Sequence, residues 1–294
     1  MKTIIIKPNN KEAQYGKATA LSAIEMPIWA AILANYYKAE QIIDAEAEDF
    51  SVEALLEKVQ DSSPDTCIIL ATGSHPSAHF QQQKEAVKIQ NEIQKLQIDA
   101  TVLSTLPVNP VQWTPPRLDL LDMSKYKAHN WFAWGYPSRN YYGANFTSIG
   151  CPFSCQFCCV KNFYGHTFVQ RTLEDIARDF QLLADKKVQH VKMMDELFIF
   201  KPERVELICD NLINQDYKFN IWAYARIDIM NPLLLKKMKR AGINWLAYGI
   251  ETGNEQIRQQ VLKGNFTNEK IKDVIKMTQD AGIHVVGNYM FGFW

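Results

Sequence analysis

The chain has 294 residues, 47% of them hydrophobic and 22% charged, with 32 Lys and Arg balancing 32 Asp and Glu. That is an ordinary globular composition, long enough for two domains, and its neutral balance gives no bulk electrostatic case for nucleic acid or an anionic membrane. The run Ile4-Ile5-Ile6 is too short for a secretory or membrane-spanning segment, and six cysteines are too sparse for a disulfide framework, so a cytoplasmic protein with reduced thiols is expected.

The first hundred residues alternate in pattern. A buried-strand pattern covers Lys2 to Lys7, and a helical one runs from Pro27 through Ala30 and Leu33 to Tyr37. Strand Gln41–Ala45, helix Val52–Val59, strand Thr66–Ala71, helix Gln82–Leu96 and strand Asp99–Leu103 follow. Such alternation predicts a parallel, Rossmann-like α/β sheet of four strands over residues 1–104. Thr72-Gly73-Ser74-His75-Pro76-Ser77 then lies at the carboxyl edge of the sheet, where these folds bind ligands. His75 and His79 are candidate metal ligands there, or simply polar loop residues. Cys67 and Cys209, in apolar runs, read as small buried hydrophobes.

From 105 to 140 the pattern breaks. Pro107, Pro110, Pro115, Pro116 and Pro137 argue against helix or central strand. Trp113, Trp131, Phe132 and Trp134 argue against disorder. An ordered connector is predicted, its rings serving packing, with a substrate mouth at Trp131 and Phe132 as the alternative.

The second domain, residues 141–294, opens with a strand at Tyr142–Ser148 and then Cys151-Pro-Phe-Ser-Cys155-Gln-Phe-Cys158. A short C-x3-C-x2-C loop can wrap three thiolates around three corners of a [4Fe–4S] cube. Such clusters normally take four cysteines, so three leave one iron open to a small ligand. The alternative, a zinc knuckle, needs a fourth ligand, for which only Cys159 and His166 are near.

The β/α units continue with helix Leu173–Ala184, strand His190–Met194, helix Pro202–Asn214, strand Phe219–Ala225 and helix Pro232–Ala241. Strand Asn244–Ile250, helices Glu255–Leu262 and Asn268–Ala281, and strand His284–Met290 complete the reading. Glycines 242 and 282 end two of the helices. Five strands of this kind predict a (β/α) barrel or an open part of one, with chemistry at the strand carboxyl ends. Aliphatic odd positions on Asn220–Asp228 should face the helices, which turns Trp222, Tyr224, Arg226 and Asp228 to the lumen. Lys192 and Glu196 share that side. For Arg226 an ion pair with Asp228 or Glu196 is the structural alternative.

With an aromatic, Phe157, before its last cysteine, the loop resembles the signature of the radical S-adenosylmethionine (SAM) superfamily. Asp195-Glu196 falls where that superfamily has a G-G-E-like motif for the SAM amino group, with Met194 and Asp195 in the glycine places. Gly249-Ile-Glu251-Thr-Gly253 resembles the G-I-E-S-G turn near the methionine carboxylate and ribose. Gly287-Asn288-Tyr-Met-Phe-Gly292 resembles the adenine-side fifth strand. Trp222-Ala-Tyr-Ala-Arg226 and the first domain are similar to the subgroup with a cobalamin-binding-like domain.

The resemblance implies an incomplete radical SAM partial barrel and an enzyme. Cys151, Cys155 and Cys158 would carry the catalytic cluster, and Phe157, Asp195, Glu196, Arg226, Gly249, Glu251, Gly253 and Asn288 would bind SAM. One electron, delivered by a flavodoxin or ferredoxin, would break the S–C5′ bond, and the 5′-deoxyadenosyl radical would abstract hydrogen from an unidentified small molecule. With cobalamin the outcome would be methyl transfer, and without it a rearrangement, oxidation or ring closure. D-x-H-x-x-G, whose histidine ligates cobalt in adenosylcobalamin mutases, is missing. Weak or absent cobalamin binding, with no histidine on cobalt, is therefore expected. No sixth β/α unit follows Phe291, so either a fragment or a barrel completed by a partner chain is expected. A non-catalytic iron–sulfur protein or truncated paralogue is the alternative. An RNA methylthiotransferase would need a basic appendage that the neutral charge does not supply.

Overall fold

Ile4, Ile5 and Ile6 have no exposed surface, which sets the first strand at the centre of a buried sheet. The computed structural model describes residues 1–11, 16, 19, 22–73, 79–104 and 113–293, with the side chains of 79–81 outside that description. The candidate loop around His75, the His79 side chain, Pro107 and Pro110 therefore lie outside the described residues. Chain contacts divide the molecule into two units, Met1–Ala144 with Asp185–Val188, and Asn145–Ala184 with Gln189–Trp294. No described helix is long and apolar enough to cross a membrane.

In the first unit, β1 (Thr3–Lys7), α1 (Ile28–Tyr36), β2 (Gln41–Asp44), α2 (Val52–Ser62), β3 (Thr66–Leu70), α3 (His79–Lys95) and β4 (Asp99–Leu103) alternate as expected. The four described strands are parallel, in the order β2-β1-β3-β4. Ile4, Ile6, Ile43, Cys67 and Ile69 meet Leu55, Val59, Ala86, Ile89 and Ile93 in one apolar layer. Ser51 caps α2 by accepting from the Ala54 N–H, a cap typically worth about 1 kcal/mol. The described part of the connector folds into this unit. Arg117 N–H donates to Ala31 O, and Ile24 and Lys127 exchange backbone bonds.

The opposite face of that sheet ends in buried charge. Lys7 Nζ lies 3.3 Å from Asp44 and 3.2 Å from Glu46. Burial alone would lower the Lys7 pKa, but the two carboxylates outweigh it and the net shift is upward.

The second unit takes in the end of β5 (Tyr142–Asn145), then β6 (Ser148–Gly150), α4 (Val160–Tyr164), β7 (Phe168–Gln170), α5 (Leu173–Asp185), β8 (His190–Met193) and α6 (Pro202–Asn214). β9 (Asn220–Ala225), α7 (Pro232–Arg240), β10 (Ile243–Glu251), α8 (Glu255–Gln260), α9 (Asn268–Asp280) and β11 (His284–Tyr289) complete it. The described sheet runs β11-β10-β9-β8-β5, with β8 to β11 in parallel register. At its β5 edge, Asn145 O accepts from the Met194 N–H. Ile221, Ala223 and Ala225 are buried, as are Ile208 and Leu212 of α6 and Leu234, Leu235 and Met238 of α7. The aliphatic face of β9 thus meets the helices, and Trp222 and Tyr224 stand on the other.

One expectation needs correction. The strand predicted at Tyr142–Ser148 is broken, with β5 ending at Asn145 and β6 starting at Ser148. The Thr147 N–H is taken by Asp195 instead of a neighbouring strand, and β6 turns away to pair antiparallel with β7.

Candidate functional site

The cysteine loop leaves β6 through Gly150 at φ +83°. A Cβ there would stand 2.0 Å from Thr167 O, so only glycine allows the hairpin to close before Cys151. Within the loop, Cys158 N–H donates to Cys155 O at 3.1 Å, a tight turn that brings the last two cysteines together. Cys159 is the N-cap position of α4. Cys155 is buried, and Cys151, Cys158 and Cys159 are half-buried. Burial pushes the Cys151 and Cys158 thiols up, and both also feel the charge of Cys155. The three therefore share one neighbourhood, and a metal centre bound there would favour the thiolate forms of Cys151 and Cys158 against that burial.

Among the described residues no three His, Cys, Asp or Glu side chains stand as a set for one metal ion. A mononuclear zinc needs its sulfurs about 2.3 Å from a single centre. A cube spreads three thiolates over three irons, and the open C-x3-C-x2-C loop suits that donor set.

The Asp195 side chain is taken up by the chain that enters the hairpin. Its buried carboxylate accepts from Thr147 N–H at 2.9 and 3.0 Å, Thr147 Oγ1 at 2.5 Å and Ser148 Oγ at 2.7 Å. It fixes the chain entering the hairpin. Buried Arg171 helps from beside it, donating to Phe146 O at 3.0 Å and pairing with Asp179 at 2.6 Å.

Glu196, the next residue, is half-buried and faces the loop. Burial, then the Asp195 charge, push its carboxyl up to about 8, with Lys192 pulling the other way. Its charge in turn reaches Cys151, Cys158, Cys159 and Tyr164.

On the next strands, Arg226 is held by Asp228 at 2.7 and 3.0 Å and donates to Lys263 O at 3.0 Å. Its guanidinium lies 3.8 Å above the ring of Phe153, inside the cysteine loop. Glu251, at φ +66°, ends β10 and forms a 3.0 Å ion pair with Lys263, the two side chains only 9% and 12% exposed. A Cβ on Gly249 would stand 2.5 Å from both charged ends, so this glycine makes room for the pair. Asn288 lies opposite Gly249 in register. Phe157 packs on Phe293 with ring centroids 5.6 Å apart. Gly253 is exposed, and its carbonyl accepts from Asn268 Nδ2.

Lys263 escapes sequence reasoning. Its only signal is a charged turn after a short helix, between left-handed Leu262 at φ +56° and Gly264 at φ +156°. The turn matters because Val261 O accepts from the Gln156 N–H at 3.0 Å. One loop thus touches the cysteine segment, Arg226 and the end of β10.

The lumen floor is aromatic and polar. Trp222 and Tyr224 meet edge-on at 4.5 Å, and Lys192 Nζ lies 5.5 Å from the Trp222 ring centre. Trp245 stacks on His284 at 4.4 Å.

The profile of the Radical SAM superfamily matches residues 145–293. An uncharacterized methyltransferase of Pyrococcus horikoshii is 27% identical over 179 residues, 60% of this chain and 37% of that protein. Bacteriochlorophyllide d C-8(2)-methyltransferase of Chlorobaculum tepidum is 24% identical over 155 residues, 50% of this chain and 34% of that protein. This chain therefore spans little more than a third of these relatives' lengths. The solved structure of the radical SAM methyltransferase TsrM from Kitasatospora setae, with cobalamin and a [4Fe–4S] cluster bound, superposes with a TM-score of 0.68 at 13% identity. The match covers all of this chain and 67% of that one, a likeness of fold.

Proposed function

The chain belongs to the radical SAM superfamily, and on that footing we propose an enzyme that cleaves SAM reductively to act on a small molecule, with methyl transfer the favoured outcome. The observation that carries this reading is what gathers at one cysteine loop: the Glu196 carboxylate, whose charge reaches Cys151 and Cys158, and the 261–264 turn, whose Val261 O accepts from the Gln156 N–H and whose Lys263 pairs with buried Glu251. Methyltransferases among the relatives support the choice of outcome.

In this reading Cys151, Cys155 and Cys158 hold a [4Fe–4S] cluster. Bound there, the cluster and SAM supply one-electron cleavage of a carbon–sulfur bond, the electron coming from a flavodoxin- or ferredoxin-like donor. Glu196 accepts the SAM ammonium, a cation that offsets the cost of keeping a desolvated carboxylate charged. Lys263 takes the methionine carboxylate, while Glu251 remains its counter-ion and acceptor for the same ligand. Phe157 and Asn288 would flank the adenine, Gly249 makes room for the Glu251–Lys263 pair, and Gly253 would leave backbone room around the ribose and methionine. Asp195 acts through Thr147 and Ser148 as a positioning residue. Trp222, Tyr224 and Trp245 line a floor that keeps water from the reacting carbon.

The test is anaerobic reconstitution with iron and sulfide, then SAM and dithionite, with chromatography for 5′-deoxyadenosine. Its formation, lost in Cys155→Ala, is the expected result. A protein that binds a stable cluster yet never cleaves SAM is a non-catalytic iron–sulfur protein, and the proposal fails.

A further inference from the structure

Arg226 stands at a place where a cation has more than one possible task. Its side chain is 8% exposed, while its partner Asp228 is 37% exposed. The ion pair is therefore lopsided, with its positive end buried and its negative end in water, where solvent screens it. The buried end faces the cysteine loop, 3.8 Å above the Phe153 ring. Phe153 in turn meets Phe200 edge-on at 6.0 Å, and Phe200 meets Phe168 of β7 at 5.0 Å. Guanidinium, ring, ring and ring form one column that grips the loop between Cys151 and Cys155. The Lys263 carbonyl, 3.0 Å away, fixes the guanidinium from a third side. The thiol charges of Cys151 and Cys155 act on Arg226, as Arg226 acts on Cys151.

We propose that Arg226 is a positioning residue for the cluster, a fixed buried cation that eases the cluster's reduction and, through Phe153, holds its loop. The inference rests on the reading that Cys151, Cys155 and Cys158 carry a [4Fe–4S] group. Reduction adds one electron and breaks no bond, so the thiolate-bound cluster becomes one unit more negative. A cation fixed nearby stabilises that reduced form more than the oxidised one, raising the midpoint potential. The effect is large for a buried charge and small for a solvated one. The electron comes from the flavodoxin- or ferredoxin-class donor, or from dithionite in vitro. This assigns Arg226 to the iron side of the site, where the motif alone placed it at SAM.

The experiment is a redox titration of the reconstituted, SAM-free protein, followed by electron paramagnetic resonance of the reduced cluster. The variants are Arg226→Gln, Arg226→Lys and Asp228→Asn. Iron and sulfide content and the visible spectrum show whether each holds its cluster. Arg226→Gln should shift the midpoint potential negative. Arg226→Lys keeps the charge and should stay nearer the wild type. Asp228→Asn removes the screened negative end and should lie at or above the wild type. Equal potentials in all four proteins, with intact clusters, overturn the proposal. If Arg226→Gln cannot assemble a cluster, the other two variants decide: an Asp228→Asn potential below that of Arg226→Lys overturns it, and the reverse order supports it. Failure of the wild type to assemble any cluster is a separate result, which removes the underlying reading.

Discussion

Cys159 is the residue that tells a cluster loop from a mere run of thiols. It sits beside Cys158 at the N-cap position of α4, and burial and the Glu196 charge both push its thiol up. Replacing Cys151, Cys155 or Cys158 by Ala should abolish the charge-transfer absorption of the reconstituted protein, while Cys159→Ala retains it. Loss of absorption in Cys159→Ala, or four equal zinc–sulfur distances by X-ray absorption, would overturn the ligand assignment. Gly249 offers a second residue-scale test. An added methyl would meet the Glu251 and Lys263 charged ends at 2.5 Å. Both are tips of flexible side chains and can swing away, so Gly249→Ala should cost about 1 kcal/mol or less in stability. Displacing the ion pair should nonetheless weaken SAM binding roughly tenfold, about 1.4 kcal/mol. Equilibrium binding and denaturation, read side by side, separate the two effects, and an unchanged SAM affinity removes the pair from the site.

At the scale of elements, the hairpin β6–β7 sets where the cysteines stand, and it is also what the sequence showed least. Three-residue strands carry too little alternation to be seen, and the bond that breaks β5 from β6 comes from Asp195, 48 residues away. Pro202–Asn214, by contrast, appears where its first-turn proline and apolar spacing predicted. Gly242 and Gly282 likewise stand at left-handed positions just past α7 and α9, as helix ends require. Local signals were legible because they lie within one turn of the chain. The three-cysteine spacing was legible because it is local too, and Lys263 was not, because its pairing depends on Glu251 across a helix. Gly150→Ala tests the hairpin. The clash at 2.0 Å is with backbone, Thr167 O, which cannot swing aside, and φ is +83°. A loss of roughly 3 kcal/mol is expected, together with a fall in bound iron. Chemical denaturation with iron analysis checks it, and full iron occupancy at wild-type stability would show that the hairpin does not place the loop.

At the scale of the whole molecule, period alone disclosed two α/β sheets, because buried parallel strands and amphipathic helices repeat their patterns over many residues. It did not disclose that residues 113–140 fold with the first unit, since that attachment is made by single backbone bonds such as Arg117 to Ala31 and Ile24 to Lys127. What the first unit binds is the remaining question of scale. TsrM, whose fold this chain resembles, holds cobalamin. Here D-x-H-x-x-G is missing, and the described sheet has four strands, after which the chain runs into the connector. We therefore predict weak or absent cobalamin binding, with any corrinoid held base-off and no histidine on cobalt. Reduced, SAM-replete protein would be titrated with hydroxocobalamin and followed by visible absorption and by electron paramagnetic resonance of the cob(II)alamin form. Because histidine coordination leaves a nitrogen superhyperfine pattern and water coordination does not, the spectrum reads the axial ligand directly. Tight stoichiometric binding, with nitrogen splitting that vanishes in His75→Ala or His79→Ala, would contradict the prediction and identify that histidine as a cobalt ligand. Binding without that splitting would keep methyl transfer foremost, since a base-off corrinoid with a free lower face still accepts and donates a methyl group. No binding at all would leave the first unit a scaffold and turn the search toward a rearrangement, oxidation or ring closure that needs SAM alone.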